Sequence, residues 1–214
     1  MGNKIKLIIF DFDGVLADSF DTFYPLIRDG MSHVGLSLSP SQYRDFFIGN
    51  VHQGFKDFIK NENKHASFLK FRSSNYDKYY YDKRHKAKFF PEVLNFLKKI
   101  NKTNILTIAS SGRQKNVISL LKKNHVRNLF PLVIANGSIN KSGMIKKILN
   151  KFNKKAEESV MVTDTVGDLK VAKKMGLKTI AVTWGFHSAK ILKSEKPDYL
   201  VNNFEMLYKS IKAF

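Results

Sequence analysis

The sequence predicts an α/β protein: a parallel-sheet core domain interrupted by an inserted all-helical domain. Short apolar runs recur along the chain with helix-like stretches between them, the pattern of a parallel sheet covered by crossover helices. The stretch 16–89 breaks this rhythm, because it holds no clear strand and carries Phe, Tyr, Lys and His at mainly helical spacing. At 214 residues, 43% hydrophobic and with 18 Phe, the chain is long enough for one good-sized domain or for a core domain and a smaller second one.

The candidate strands are residues 6–10, 104–109, 132–135, 160–163, 179–182 and, with a weaker signal, 199–201. Each has the length and the continuous apolar character of a strand buried on both faces. Helical patterns fall between them at 91–100, 114–124, 143–152, 166–175 and 204–211. Pro91 suits a first helical turn and Gly176 a helix exit. No internal repeat or low-complexity linker interrupts the chain, and the short connections imply a compact core.

There is no cysteine, which excludes a disulfide framework, a thiol nucleophile and a Cys-rich zinc site. Only four apolar residues precede Asp11 after the opening Met1-Gly2-Asn3-Lys4-Ile5-Lys6, too few for a signal-peptide core or a membrane span, so a cytoplasmic protein without a membrane partner is expected. The net charge of +19, from 37 Lys and Arg against 18 Asp and Glu, would concentrate any anion, phosphometabolite or nucleic acid, and does not choose between them. The excess is spread in pairs such as Lys98-Lys99, Lys122-Lys123 and Lys146-Lys147, the pattern of solvated outer helix faces, so nucleic acid is not the expected partner. The oligomeric state is left open between monomer and homodimer.

Four groups of residues at or near strand ends carry potential chemistry. Asp11 and Asp13 follow the first strand directly and precede Gly14; ligands of parallel α/β sheets bind beyond the carboxyl ends of strands. Two carboxylates about 4 Å apart repel by roughly 4 kcal/mol at an effective dielectric of about 20, which favours a bound cation or a shared proton, and a hard ion such as Mg²⁺ fits best. The pair is equally readable as a polar turn with a helix-capping Asp. Asp164 stands at another strand tip and Asp168 one turn into the next helix, where it could also be a favourable first-turn charge. Ser110, with the backbone N–H groups of Ser111 and Gly112, could bind phosphate oxygens or simply cap a helix. Lys141, one lysine among many, lies at a loop-to-helix entrance where a cation could neutralise a nucleophile and a phosphate.

The ordered combination of acidic pair, hydroxyl, lysine and second acidic pair resembles the haloacid dehalogenase superfamily of phosphohydrolases. The segments Asp11-Phe12-Asp13-Gly14-Val15-Leu16-Ala17-Asp18-Ser19, Val182-Thr183-Trp184-Gly185-Phe186 and Lys196-Pro197-Asp198-Tyr199 look like its phosphoglycolate phosphatase branch. The resemblance implies a Rossmann-like α/β core domain over residues 1–16 and 90–214 and a type-1 helical cap domain over 17–89. It implies that Asp11 is the nucleophile and that Asp13 is the general acid and base. Mg²⁺ would be held by Asp11, the backbone carbonyl of Asp13 and Asp164, with Asp168 in direct or water-mediated support. Ser110 matches the second-motif hydroxyl, with Ser111 and Gly112 beside it, and Lys141 the third-motif lysine.

The implied activity is hydrolysis of a small phosphorylated metabolite through an aspartyl-phosphate. Relatives that cleave carbon–halogen or carbon–phosphorus bonds lack an Asp two residues after the nucleophile, so Asp13 favours phosphate esters. A sugar phosphomutase, which shares the aspartyl-phosphate, and a non-catalytic nucleic-acid-binding protein are the alternatives. Two positions depart from the family: Ser142 stands where many of these phosphatases have Pro, and Thr163 where most have Gly. Within the cap, Val51-His52-Gln53-Gly54-Phe55 reads as a Gly-containing turn that could face the site, and Arg44, Lys56 or Arg72 as contacts to a second anionic group, against ordinary solvated or packed roles for each.

Overall fold

The computed structural model describes residues 5–82 and 86–214. The opening residues 1–4 and residues 83–85 of the inserted stretch lie outside the described residues. The chain divides into two compact units: one takes the chain up to Ala17 and again from Phe89 onward, and the other spans Asp18–Lys88. Two two-residue strands, β2 (Ala17–Asp18) and β3 (Lys88–Phe89), pair at this boundary.

The first unit is built on β1 (Leu7–Phe10), β4 (Ile105–Ser110), β5 (Leu132–Ala135), β6 (Ser159–Thr163), β7 (Lys178–Val182) and β8 (Tyr199–Val201). They form one parallel sheet in the order β5-β4-β1-β6-β7-β8. The runs Leu-Ile-Ile-Phe and Ser-Val-Met-Val-Thr are buried throughout because helices cover both faces. Ile8 and Phe10 pack with Leu106, Ile108, Val160 and Val162 against α5 (Val93–Ile100), α6 (Gln114–Lys123) and α10 (Phe204–Ala213). Leu7 and Ile9 point the other way, with Met161, onto α7 (Lys141–Phe152) and α8 (Val166–Lys174). A one-residue slip of β1 would exchange these two faces.

From β1 the chain builds outward through β4 to β5, then returns to the opposite edge of β1 as β6. The strand order therefore reverses at β1, and such a switch point opens a crevice at the carboxyl ends of the strands. Asp11, Ser110 and Asp164 stand there, at the ends of β1, β4 and β6.

Pro91, expected in a first helical turn, precedes the helix instead: Glu92 caps α5 at φ +69°, a left-handed conformation that cannot continue into a helix. Gly176 ends α8 at φ +81°, as its type suggests. A short helix, α9 (Ala189–Ser194), was not expected from the periodicity; Ser188 accepts from the Ile191 amide at its start.

Asp198 ties β8 to β7. Its Oδ2 accepts from the amide and hydroxyl of Thr179 at 2.9 and 2.8 Å, and its own amide donates to the Thr179 hydroxyl at 3.1 Å. Burial works against the ionised form, but these bonds and Lys178 outweigh it and hold the carboxyl below its ordinary range. Asp198→Ala is expected to cost about 1–2 kcal/mol at neutral pH, since two donors lose their acceptor. A depressed folded pKa contributes stability that is present above the ordinary carboxylate pKa and disappears as pH falls through the folded value. Denaturant unfolding of both proteins should therefore show the gap narrowing in strong acid.

The second unit holds α1 (Phe20–His33), α2 (Pro40–Asp45), a 3₁₀ turn at Phe46–Ile48, α3 (Val51–Ile59) and α4 (Glu62–Tyr80). Gly30 lets α1 approach α4, because a Cβ there would sit 3.1 Å from the Phe68 ring. The expected turn at 51–55 is the opening of α3: the Asn50 side chain accepts from the His52 and Gln53 amides, and Gly54 fits against Phe46. Helix capping by Asn50 and the packing of Phe55 on Phe46 and Phe68 override the turn signal of Gly54. Arg44 stacks over Phe20 and Arg72 lies over Phe55, whereas Lys56 is exposed. No helix among the described residues is long and apolar enough to cross a membrane.

Candidate active site

The loop after β1 is wound tightly. The amides of Leu16 and Ala17 both donate to the Phe12 carbonyl, at 3.0 and 2.9 Å, and Gly14 donates to Ala17 at 2.8 Å. Gly14 adopts φ +78°, and a Cβ there would fall 2.0 Å from Asp164 Oδ2, so only glycine fits. This turn follows directly from Asp11, whose amide stays in the sheet through the Val162 carbonyl at 2.9 Å.

Asp11 is buried, and its Oδ1 accepts from the Phe12 amide at 2.8 Å and from Lys141 Nζ at 3.0 Å. Lys141 is the first residue of α7, whose Asn140 cap accepts from the Gly143 amide. A cation at a helix N-terminus opposes the helix dipole and needs strong anionic partners. Lys141 has three acceptors: Asp11 Oδ1, the Ala109 carbonyl at 2.7 Å and Asp168 Oδ2 at 2.8 Å. Burial works against its charge, but Asp11 and Asp168 more than offset this and hold the ammonium protonated.

Ser110 Oγ accepts from the Gly112 amide at 2.9 Å, which leaves its proton as a donor to an anion. A Cβ built on Gly112 would lie 3.2 Å from both Ser110 Oγ and Asp13 Oδ2, so the hydroxyl and this carboxylate converge on one glycine. Ser111 is exposed beside them.

Asp164 is fully buried; its Oδ2 accepts from the Phe186 amide at 2.7 Å, while its Oδ1 has no hydrogen-bond partner. Its pKa is pushed up to about 7, by burial first and against the Phe186 bond, with Asp168 adding to the rise. Asp11 is likewise pushed well above the ordinary carboxylate range: burial is the largest cause, Lys141 opposes it, and Asp168, Asp164 and Asp13 add to it. Thr163 Oγ1 accepts from the Thr165 amide at 3.2 Å and donates to Asp168 Oδ2 at 3.3 Å, so this departure from the family pattern supplies a hydroxyl that orients Asp168. The Ser142 hydroxyl donates to the Asn140 cap at 2.9 Å.

The structure thus brings Asp11, Lys141 and Asp168 into direct contact and sets Ser110, Gly112 and Asp13 together. Asp11 and Asp168 share one ammonium while Asp164 and Asp13 add negative charge around Asp11, an excess that a hard divalent cation would relieve. The unpartnered buried oxygen of Asp164 fits such an ion. Among the described residues no three His, Cys, Asp or Glu side chains form a metal cluster, so side chains alone do not make up a full ligand set. Gly185, Phe186 and His187, which surround Asp164, were not picked out as site residues; Gly185 after an apolar strand is the one local sign of close backbone approach.

The chain resembles known proteins over most of its length. Residues 8–182 match the family described as haloacid dehalogenase-like hydrolase. A phosphoglycolate phosphatase of Aliivibrio fischeri is 24% identical over 219 residues, covering 97% of this chain and 96% of that protein. A Bacillus thuringiensis pyrophosphatase is 25% identical over 216 residues, with 95% of each chain covered. The solved structure of a haloacid dehalogenase-like family hydrolase from Streptococcus pneumoniae superposes with a TM-score of 0.84 at 20% identity, over 96% of this chain and 98% of that one. The chain belongs to the haloacid dehalogenase-like hydrolase family.

Proposed function

We propose that this protein is a magnesium-dependent phosphatase that hydrolyses a small phosphate monoester through a phosphorylated Asp11. The observation that carries the reading is the contact of buried Asp11 with Lys141 at the carboxyl end of the central strand, with Asp13 two residues on. A relative named phosphoglycolate phosphatase supports a monoester substrate, and one named pyrophosphatase supports phosphate release more generally.

Asp11, Asp164 and the main-chain carbonyl of Asp13 would hold Mg²⁺, with Asp168 in support. Bound there, Mg²⁺ supplies charge neutralisation between an anionic nucleophile and an anionic phosphate. Ser110 Oγ, held by the Gly112 amide, and the backbone N–H of Ser111 orient the phosphate oxygens. The Asp11 carboxylate forms a bond to phosphorus as the ester P–O bond breaks, and Asp13 gives its proton to the departing alkoxide. Asp13 then takes a proton from water, whose oxygen attacks phosphorus. The acyl-phosphate P–O bond breaks, and phosphate leaves Asp11 free. Lys141 holds Asp11 in place and offsets its charge.

The test is phosphate release from p-nitrophenyl phosphate, phosphoglycolate, sugar phosphates and pyrophosphate, with Mg²⁺ and with a chelator. Magnesium-dependent release from at least one is expected. No release from any would end the reading. Conversion of a sugar 1-phosphate to its 6-phosphate without free phosphate would favour a phosphomutase.

A further inference from the structure

The segment Trp184-Gly185-Phe186-His187, between β7 and α9, holds both acidic loops at once. Trp184 Nε1 donates to the Val15 carbonyl at 3.1 Å. Gly185 lies so close that a Cβ would sit 2.4 Å from the Gly14 carbonyl oxygen and 2.3 Å from Asp164 Oδ2. The Phe186 amide donates to that same Oδ2.

His187 bonds both ends of the turn that carries Asp164. Its amide donates to the Asp164 carbonyl at 3.3 Å, and its ring Nδ1 accepts the Val166 amide at 3.0 Å. Val166 opens α8, and its amide is one of the donors that a helix start leaves without an internal partner. The N-cap residue Thr165 makes no side-chain cap bond, so the imidazole of His187 caps the helix in its place. The ring is 1% exposed, which keeps water from substituting for it. With Nδ1 accepting, the ring proton sits on Nε2.

We propose that His187 is a positioning residue for the divalent cation: by capping α8 it fixes the Asp164 turn so that Oδ2 stays on the Phe186 amide and the unpartnered Oδ1 is presented to the ion. The inference rests on the magnesium reading above. Partners that orient a metal ligand are worth about 10- to 100-fold in metal affinity.

The experiment titrates Mg²⁺ into the metal-free protein by calorimetry and measures unfolding without Mg²⁺ in parallel. His187→Phe keeps an aromatic ring and removes the acceptor, whereas His187→Asn keeps a neutral acceptor. His187→Phe should weaken Mg²⁺ binding about 10- to 100-fold, and His187→Asn should recover most of that loss. A folded Phe variant that binds like the wild type overturns the inference, as does an equal loss in both variants. If either fails to fold, nitrogen NMR of the wild-type ring decides: an unprotonated Nδ1 with a protected Val166 amide supports the proposal, and a proton on Nδ1 overturns it. A wild-type protein that binds no Mg²⁺ removes the magnesium reading and this inference together; unchanged binding in His187→Phe removes this inference alone.

Discussion

Asp11→Asn is expected to lower phosphate release by about 10⁴-fold or more, because an amide oxygen cannot form the acyl-phosphate. The substitution is nearly isosteric. Asn can still accept from the Phe12 amide and from Lys141, and Lys141 keeps the Ala109 carbonyl and Asp168. The wild-type carboxylate is buried and repelled by Asp168, Asp164 and Asp13, so its removal relieves electrostatic strain. Thermal unfolding of the metal-free variant should be at or above the wild-type midpoint. Loss of turnover with retained stability separates loss of the nucleophile from loss of the fold. Full activity in Asp11→Asn would refute the mechanism.

The second large effect is on stability without metal. Burial pushes the Asp164 carboxyl up from its ordinary range to about 7 in the folded protein. A raised folded pKa contributes stability that is fully present below the unfolded value and is lost as pH rises through the folded one. Metal-free protein should therefore weaken as pH rises from about 4 to about 7, and its unfolding midpoint should fall by several degrees. Added Mg²⁺ should raise the midpoint most at the alkaline end, where the carboxylates are ionised and an ion bound only by the folded state stabilises it by mass action. In Asp164→Asn this pH slope should flatten and the response to Mg²⁺ should fall. A midpoint that stays level across the range in the chelated wild type would show that burial of Asp164 does not control it.

These effects trace to features of unequal legibility. The apolar runs that became β1, β4, β5, β6, β7 and β8 could be read directly, because a strand buried on both faces has no polar positions to blur it. The 51–55 segment was misread because Gly54 signals a turn locally, whereas its role is to make room for Phe46. Pro91 was placed inside a helix because nothing in sequence marks the left-handed backbone of Glu92.

By itself, the sequence determined the α/β class, the family and the strand-end placement of Asp11, Ser110 and Asp164, since each depends on short local motifs and on their order along the chain. Only the tertiary structure decided what these groups do to one another. That Lys141 is shared between Asp11 and Asp168, that Thr163 orients Asp168 and that the His187 ring caps α8 depend on strand order and helix packing. Hydrogen bonds and charge pairs are decided over a few ångströms, and residues far apart in sequence reach that distance only once the sheet has formed.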